Sequence, residues 1–145
     1  MIFIKILFVC TGNTCRSPMA QALCEKLGQD RGIRLECDSA GVAAVNGSPM
    51  AENAKKVLCR FGIRDFDHRA KRLLLEDLES ADLILTVTEH HALFLTEAFG
   101  HKEKILPLPG QVGDPFGGDE ETYQRAADAI WAGLEALADR GLFHD

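Results

Sequence analysis

The residues most able to do chemistry form one run, Cys10-Thr11-Gly12-Asn13-Thr14-Cys15-Arg16-Ser17. Gly12 and Asn13 are residue types that tolerate positive φ. A loop built on them can curl and aim successive backbone N–H groups into one concavity, a nest for an oxyanion. A helix starting just after the loop adds its positive N-terminal end. Arg16 adds a planar fork able to hold two phosphate oxygens. Cys10 is expected at the centre of these donors, and each donor favours the thiolate over the thiol. The Ser17 hydroxyl can donate to that sulfur and later help it leave. The product of this arrangement is an activated nucleophile beneath a phosphoryl group. No Gly-Lys-Ser/Thr is present, so the run is not a nucleotide-binding Walker loop. A buried Cys before a common capped turn would share single features of the run, but not the run as a whole.

The displaced group (an alkoxide, a phenoxide or a guanidine) needs a proton. Asp114 is the best donor in the chain. Pro115 stiffens its loop, and Phe116, Gly117 and Gly118 follow. Asp119, Glu120 and Glu121 lie close by, but acids at a helix start usually serve the helix dipole.

These groups need elements to hold them. Ile2 to Val9 is a continuous apolar and β-branched run, the pattern of a strand buried on both faces. Ser17-Pro18 reads as a helix cap with a proline at the first helical position. Met19, Leu23 and Leu27 follow at helical spacing, and Gly28 and Gly32 punctuate the end. Arg34 to Ser39 reads as a second strand. Ser48-Pro49 repeats the cap signal ahead of a helix carrying Ala54, Val57, Leu58 and Phe61 and ending at Gly62. A short helix from about Leu73 to Ser80 leads into a third buried strand, Asp82 to Val87. A helix from about Glu89 to Phe99, a short strand from Lys104 to Leu108 and a final helix from about Asp119 to Arg140 complete the chain. The last helix shows Tyr123, Ala127, Ile130, Leu134 and Leu137 on one face. Strands alternating with helices require crossovers, and crossovers give a parallel sheet covered on both faces. Ligands on such sheets bind beyond the carboxyl ends of the strands. That is where the Cys10 loop falls.

The chain has 145 residues, one ordinary domain's worth, and is read as a single domain over 1–145. At that length roughly 70% of the unfolded surface can be buried, so no staples are needed. Hydrophobic residues at 46% and charged residues at 26% fit a soluble globular protein. The net charge of −6 argues against nucleic acid or an anionic membrane as partner. The longest apolar stretch is interrupted by Lys5 and is too short to span a bilayer. It lacks the basic leader and cleavage site of a signal peptide. Five Cys is an odd count, read as thiols in a reducing cytoplasm rather than as a disulfide framework.

The stretch Val9 to Pro18 resembles the signature of the low-molecular-weight protein tyrosine phosphatase family, and the resemblance covers essentially the whole chain. Ser39-Ala40-Gly41 and Asp114-Pro115 are similar to two further family landmarks. The resemblance implies an α/β fold, a three-layer αβα sandwich around a four-stranded parallel sheet. It implies a cysteinyl-phosphate intermediate on Cys10, phosphorylated protein substrates, and no metal or organic cofactor. Thr11, Gly12, Asn13, Thr14, Cys15, Arg16 and Ser17 would bind the phosphate. Asp114 would be the acid of the first step and the base for water in the second. Asn13, Ser39 and His68 match positions that brace the loop. Cys15 matches a thiol able to form a reversible disulfide with Cys10; a buried, inert sulfur is the alternative.

Two positions bear on the substrate. Tyrosine phosphatases of the family carry a bulky aliphatic residue where this chain has Thr14. They commonly place Tyr where it has Phe116. Thr14 with Asp-Pro-Phe-Gly-Gly is similar to the arginine phosphatase branch, so phosphoarginine is favoured and phosphotyrosine is the alternative. Thr shortens the apolar wall that would clamp a phenyl ring, and Asp114 can pair with a guanidinium. Val42 to Gly47 has no aromatic residue, although related enzymes often line the cleft there with one. An arsenate reductase would need a downstream redox pair, and no Cys follows Cys59. A silent phosphate-binding or redox-sensing module is a further alternative, disfavoured by Cys10, Arg16 and Asp114 occurring together.

The remaining candidates have plainer readings. Cys24, Cys37 and Cys59 are expected in the core, as are Trp131 and Phe99 in the core or its rim. His90 and His91 are adjacent and diverge on a helix, a poor metal pair. Arg69, Lys71 and Arg72 are read as a solvated face. The protein is expected to act as a monomer.

Overall fold

The central strand forms because both of its faces find apolar partners. In the computed structural model, which describes residues 3–143, β1 runs Ile4–Cys10. Ile6, Phe8 and Cys10 point into one core, and Leu7 and Val9 into another. The predicted first residue of that strand, Ile2, lies outside the described residues. The chain continues through α1 (Arg16–Arg31), β2 (Leu35–Gly41), α2 (Glu52–Arg60), α3 (Leu75–Ser80), β3 (Leu83–Thr86), α4 (Glu89–Phe99), β4 (Ile105–Pro107) and α5 (Glu120–Asp139). The strands order as β2-β1-β3-β4, all parallel.

The larger core joins the sheet to α1, α2 and α5. Met19, Leu23 and Leu27 of α1 meet Ala127, Ile130 and Leu134 of α5 there, as the helical spacing predicts. The smaller core holds Leu78 of α3 and Leu95 of α4 against the opposite face. The result is the three-layer αβα sandwich around a four-stranded parallel sheet. Each fully buried Leu, Ile or Phe contributes about 1.5–3 kcal/mol. From β1 the chain crosses to β2 on one side and then returns to β3 on the other. A crevice opens at such a reversal, outside the carboxyl ends of the strands.

Several local expectations are corrected. Ser17 does not cap α1: the helix starts at Arg16, its cap position is Cys15, and no side chain caps it. The Ser17 hydroxyl is engaged elsewhere, by Cys10 and Asn13. Pro18 is therefore the third helical residue, still in the first turn where backbone N–H groups lack helical partners. Ser48-Pro49 does not open α2, which begins at Glu52. That segment pairs instead with the stretch before Lys71, through Gly47 N–H to the Ala70 carbonyl (2.8 Å) and Ala70 N–H to the Ser48 carbonyl (2.9 Å). Gly28 lies inside α1, which ends at Gly32 in the left-handed region. Gly12 does not adopt positive φ; Asn13 does. Cys59 is exposed and Cys37 half-buried, leaving Cys24 as the buried one of the three. Phe99, at the solvent end of α4, is 41% exposed.

β2 extends two residues past its predicted end because Gly41 pairs with Cys10 and donates its N–H to the Lys71 carbonyl (3.0 Å). The position admits no side chain. A Cβ there would sit 2.6 Å from the Thr11 carbonyl oxygen and 3.0 Å from the Asn13 Cβ. Gly41→Ala is expected to destabilise the fold by about 1–3 kcal/mol, the cost of overpacking against backbone, and to slow turnover by displacing the loop after Cys10. Urea unfolding with parallel rate measurements checks this; an unchanged midpoint would refute the close approach.

Candidate active site

Cys10 ends β1 and is 2% exposed. The backbone N–H of Asn13 points at its sulfur from 3.3 Å. The Ser17 hydroxyl lies 2.8 Å from the same sulfur. Ser17 Oγ also accepts a bond from Asn13 Nδ2 (2.8 Å), which leaves the hydroxyl proton free to point at Cys10.

Asn13 binds the loop to its surroundings. It sits at φ 57°, in the left-handed region that Asn tolerates, and is fully buried. Its Nδ2 donates a second bond to Ser39 Oγ (3.0 Å), and Ser39 Oγ donates to Gln21 Oε1 (2.7 Å). Its Oδ1 accepts the Lys71 backbone N–H (2.9 Å). Its carbonyl accepts His68 Nε2–H (2.9 Å). Burial holds the His68 ring below the usual histidine range, while the Asn13 carbonyl opposes that shift. Phe66 stacks on the ring at 5.9 Å. Ser39 and His68 thus both contact the loop, through Asn13.

Arg16 is buried, and its Nη1 donates to the Val112 carbonyl (3.1 Å). Its Nη2 lies 3.8 Å from Asp114 Oδ2. Asp114 sits on the exposed loop between β4 and α5, where its Oδ1 accepts the Phe116 N–H (3.1 Å). A cleft of about 200 Å³ is bounded by the loop from Cys10 to Arg16, by Asp114 and by Phe116. Phe116 is 77% exposed and forms an apolar flap at the rim. No residue of Val42 to Gly47 bounds that cleft. Among the described residues no three His, Cys, Asp or Glu side chains are grouped to hold a metal ion, and no helix is long and apolar enough to cross a membrane.

Cys15 is buried and lines the cleft with the rest of the loop. Its sulfur lies 3.3 Å from the Tyr123 hydroxyl and 3.6 Å from Thr14 Oγ1. Burial, reinforced by Cys15, raises the Tyr123 pKa. Lys71 departs from the solvated-face reading: its ammonium pairs with Asp38 (2.6 Å) and Asp77 (3.4 Å), whereas Arg69 and Arg72 are exposed.

Four contributors escaped the sequence reading. Tyr123 registered only as a core position. Gln21 lies one helical turn beyond Ser17, and its spacing alone was a usable signal. Lys71 acts through its backbone N–H, which carries no residue-type signal. His91, dismissed as half of a poor metal pair, bonds Thr11 from across the crevice.

The low molecular weight phosphotyrosine protein phosphatase family model matches residues 5–142. A protein-arginine-phosphatase from Geobacillus stearothermophilus is 41% identical over 94% of this chain and 95% of its own. A low molecular weight protein-tyrosine-phosphatase, PtpB, from Staphylococcus haemolyticus is 35% identical over 87% of this chain and 91% of its own. A solved arginine phosphatase carrying a phosphorylated active-site serine superposes with a TM-score of 0.89 at 35% identity, covering 94% of this chain and 95% of its own. With the sheet order, the loop after β1 and matches of this extent, the chain belongs to the low molecular weight phosphotyrosine protein phosphatase family.

Proposed function

We propose that this phosphatase hydrolyses phosphoarginine on proteins through a phosphorylated Cys10, working as a single-domain cytoplasmic monomer. The observation that supports this most is the convergence on one cleft of the Cys10 sulfur, the Arg16 fork and the Asp114 carboxyl.

In the first step the Cys10 thiolate attacks phosphorus in line with the leaving nitrogen. A sulfur–phosphorus bond forms as the phosphorus–nitrogen bond breaks. Asp114, as the carboxylic acid, gives its proton to that nitrogen, so the cationic phosphoguanidinium leaves directly as the arginine guanidinium. Arg16 and the loop amides hold the phosphoryl oxygens throughout. In the second step the Asp114 carboxylate takes a proton from water as the water oxygen attacks phosphocysteine. Inorganic phosphate and the Cys10 thiolate result, and the Ser17 hydroxyl steadies the departing sulfur.

The preference for arginine rests on Thr14, Asp114 and Phe116. Thr14 presents a short wall with a hydroxyl, less suited than a long aliphatic to clamping a phenyl ring. Asp114 Oδ1 already accepts one N–H, from Phe116, and has a further lone pair for a guanidinium N–H. Phe116 offers a ring face over which a guanidinium can lie. The Geobacillus relative, named a protein-arginine-phosphatase, supports the same assignment. PtpB keeps phosphotyrosine as the second reading. Cys15, five residues after the nucleophile in the same loop, is assigned as the partner for a reversible disulfide on oxidation.

Purified protein is expected to release phosphate faster from phosphoarginine than from phosphotyrosine, and Thr14→Ile to reverse the order. Equal or opposite selectivity in the unmodified protein defeats the arginine assignment and leaves the mechanism standing. Cys10→Ser is expected to abolish release from an aryl phosphate; unchanged release would mean that Cys10 is not the nucleophile. Asp114→Asn is expected to slow phosphoarginine hydrolysis about 10²–10⁴-fold, the worth of a positioned general acid. It should slow an aryl phosphate with a good leaving group much less, and equal slowing would remove Asp114 from that role.

A further inference from the structure

His91 takes part in no step above, yet its ring is tied to the residue following the nucleophile. It is the third residue of α4 and only 8% exposed. Its Nε2 lies 2.9 Å from Thr11 Oγ1, and its Nδ1 lies 2.6 Å from Thr88 Oγ1. Thr88 caps α4, its Oγ1 accepting the His91 backbone N–H at 3.2 Å. An oxygen that already accepts from the helix has its own proton left to donate, and the ring nitrogen at 2.6 Å is a well-placed acceptor. A neutral imidazole that accepts at Nδ1 carries its proton on Nε2. That proton then points at Thr11 Oγ1. Thr11 is thereby relieved of donating to the ring. Its side chain is exposed and lies on the cleft wall next to Cys10.

We propose that His91 is a positioning residue which, as its Nε2–H tautomer, holds the Thr11 hydroxyl as a donor toward a phosphoryl oxygen in the cleft. The inference rests on the cleft being the phosphate site. It links α4, on one layer of the sandwich, to the loop that leads into α1 on the other. Burial is the main influence keeping the ring uncharged; the Arg16 cation from α1 and the neighbouring His90 ring on α4 add to it, and Asp114 from the β4–α5 loop opposes them. The ring therefore stays neutral below the ordinary histidine range of about 6.5. Acid strong enough to charge it places a proton on Nδ1, where the Thr88 hydroxyl now donates, and breaks the relay at that end.

The tautomer can be read directly by ¹⁵N NMR of the intact protein labelled at histidine, without substrate. His91 is expected to show a protonated Nε2 and a bare Nδ1 at pH 7. A proton on Nδ1 at pH 7 would overturn the proposal whatever the enzyme's activity. A protein inactive on every phosphorylated substrate would overturn the phosphatase reading instead, leaving the tautomer intact. The kinetic arm is a cycle of His91→Ala and Thr11→Val. Each is expected to lower kcat/KM about tenfold, and the double variant no further, because both remove one linkage. His91→Gln, which can offer an N–H near the Nε2 position, is expected to recover part of the loss. Losses that multiply, or no recovery with Gln, would reduce His91 to a packing role. If His91→Ala does not fold, the NMR measurement on the unmodified protein still decides.

Discussion

The site depends on one buried amide. Asn13 takes a left-handed backbone conformation and buries every polar group it has. Its N–H reaches the Cys10 sulfur, and its side chain reaches Ser17, Ser39 and the Lys71 backbone. Its carbonyl takes the His68 proton. A buried polar group left without a partner costs about 1–3 kcal/mol, so each bond resists loss of the others. The loop is consequently held from β2, from α1 and from the segment before α3 at once. Its shape is set by elements distant in the chain.

This division of rigidity suits the chemistry. The Cys10 sulfur, Asn13 and the Arg16 guanidinium are buried and bonded before substrate binds. Groups fixed in this way stabilise developing charge without reorganising. Asp114 and Phe116 are exposed and sit on a loop held near its ends, by Arg16 and Val87 at Val112 and by Asn53 at the Gly118 carbonyl. In the proposed reaction the phosphoryl half of the substrate meets the buried side of the cleft, and the half that differs between arginine and tyrosine meets the exposed side.

The flanking residues extend the same principle. Tyr123 anchors the Cys15 side of the loop from α5, and His91 anchors Thr11 from α4. The loop following one strand thus touches helices on both faces of the sheet. Such contact is available because Cys10 ends the central strand, with β2 on one side and β3 on the other.

The sequence alone carried the parallel sheet, the order of its elements and the convergence on Cys10, because apolar runs, helical spacing and a run of loop residues are local patterns. It also carried Arg16 and Asp114, whose chemistry is written in their residue types. It misplaced Ser17 and Ser48-Pro49 as helix caps, because a cap motif cannot show that its hydroxyl or backbone has a better partner far along the chain. It read Gly12 and Asn13 as equal candidates for positive φ, and only the bonds around Asn13 separated them. Tyr123, Gln21, the Lys71 backbone and His91 became parts of the site only when the layers closed. Hydrogen bonds between residues 58 or 80 positions apart leave no periodicity to read, and it is packing, not spacing, that brings their atoms within 3 Å.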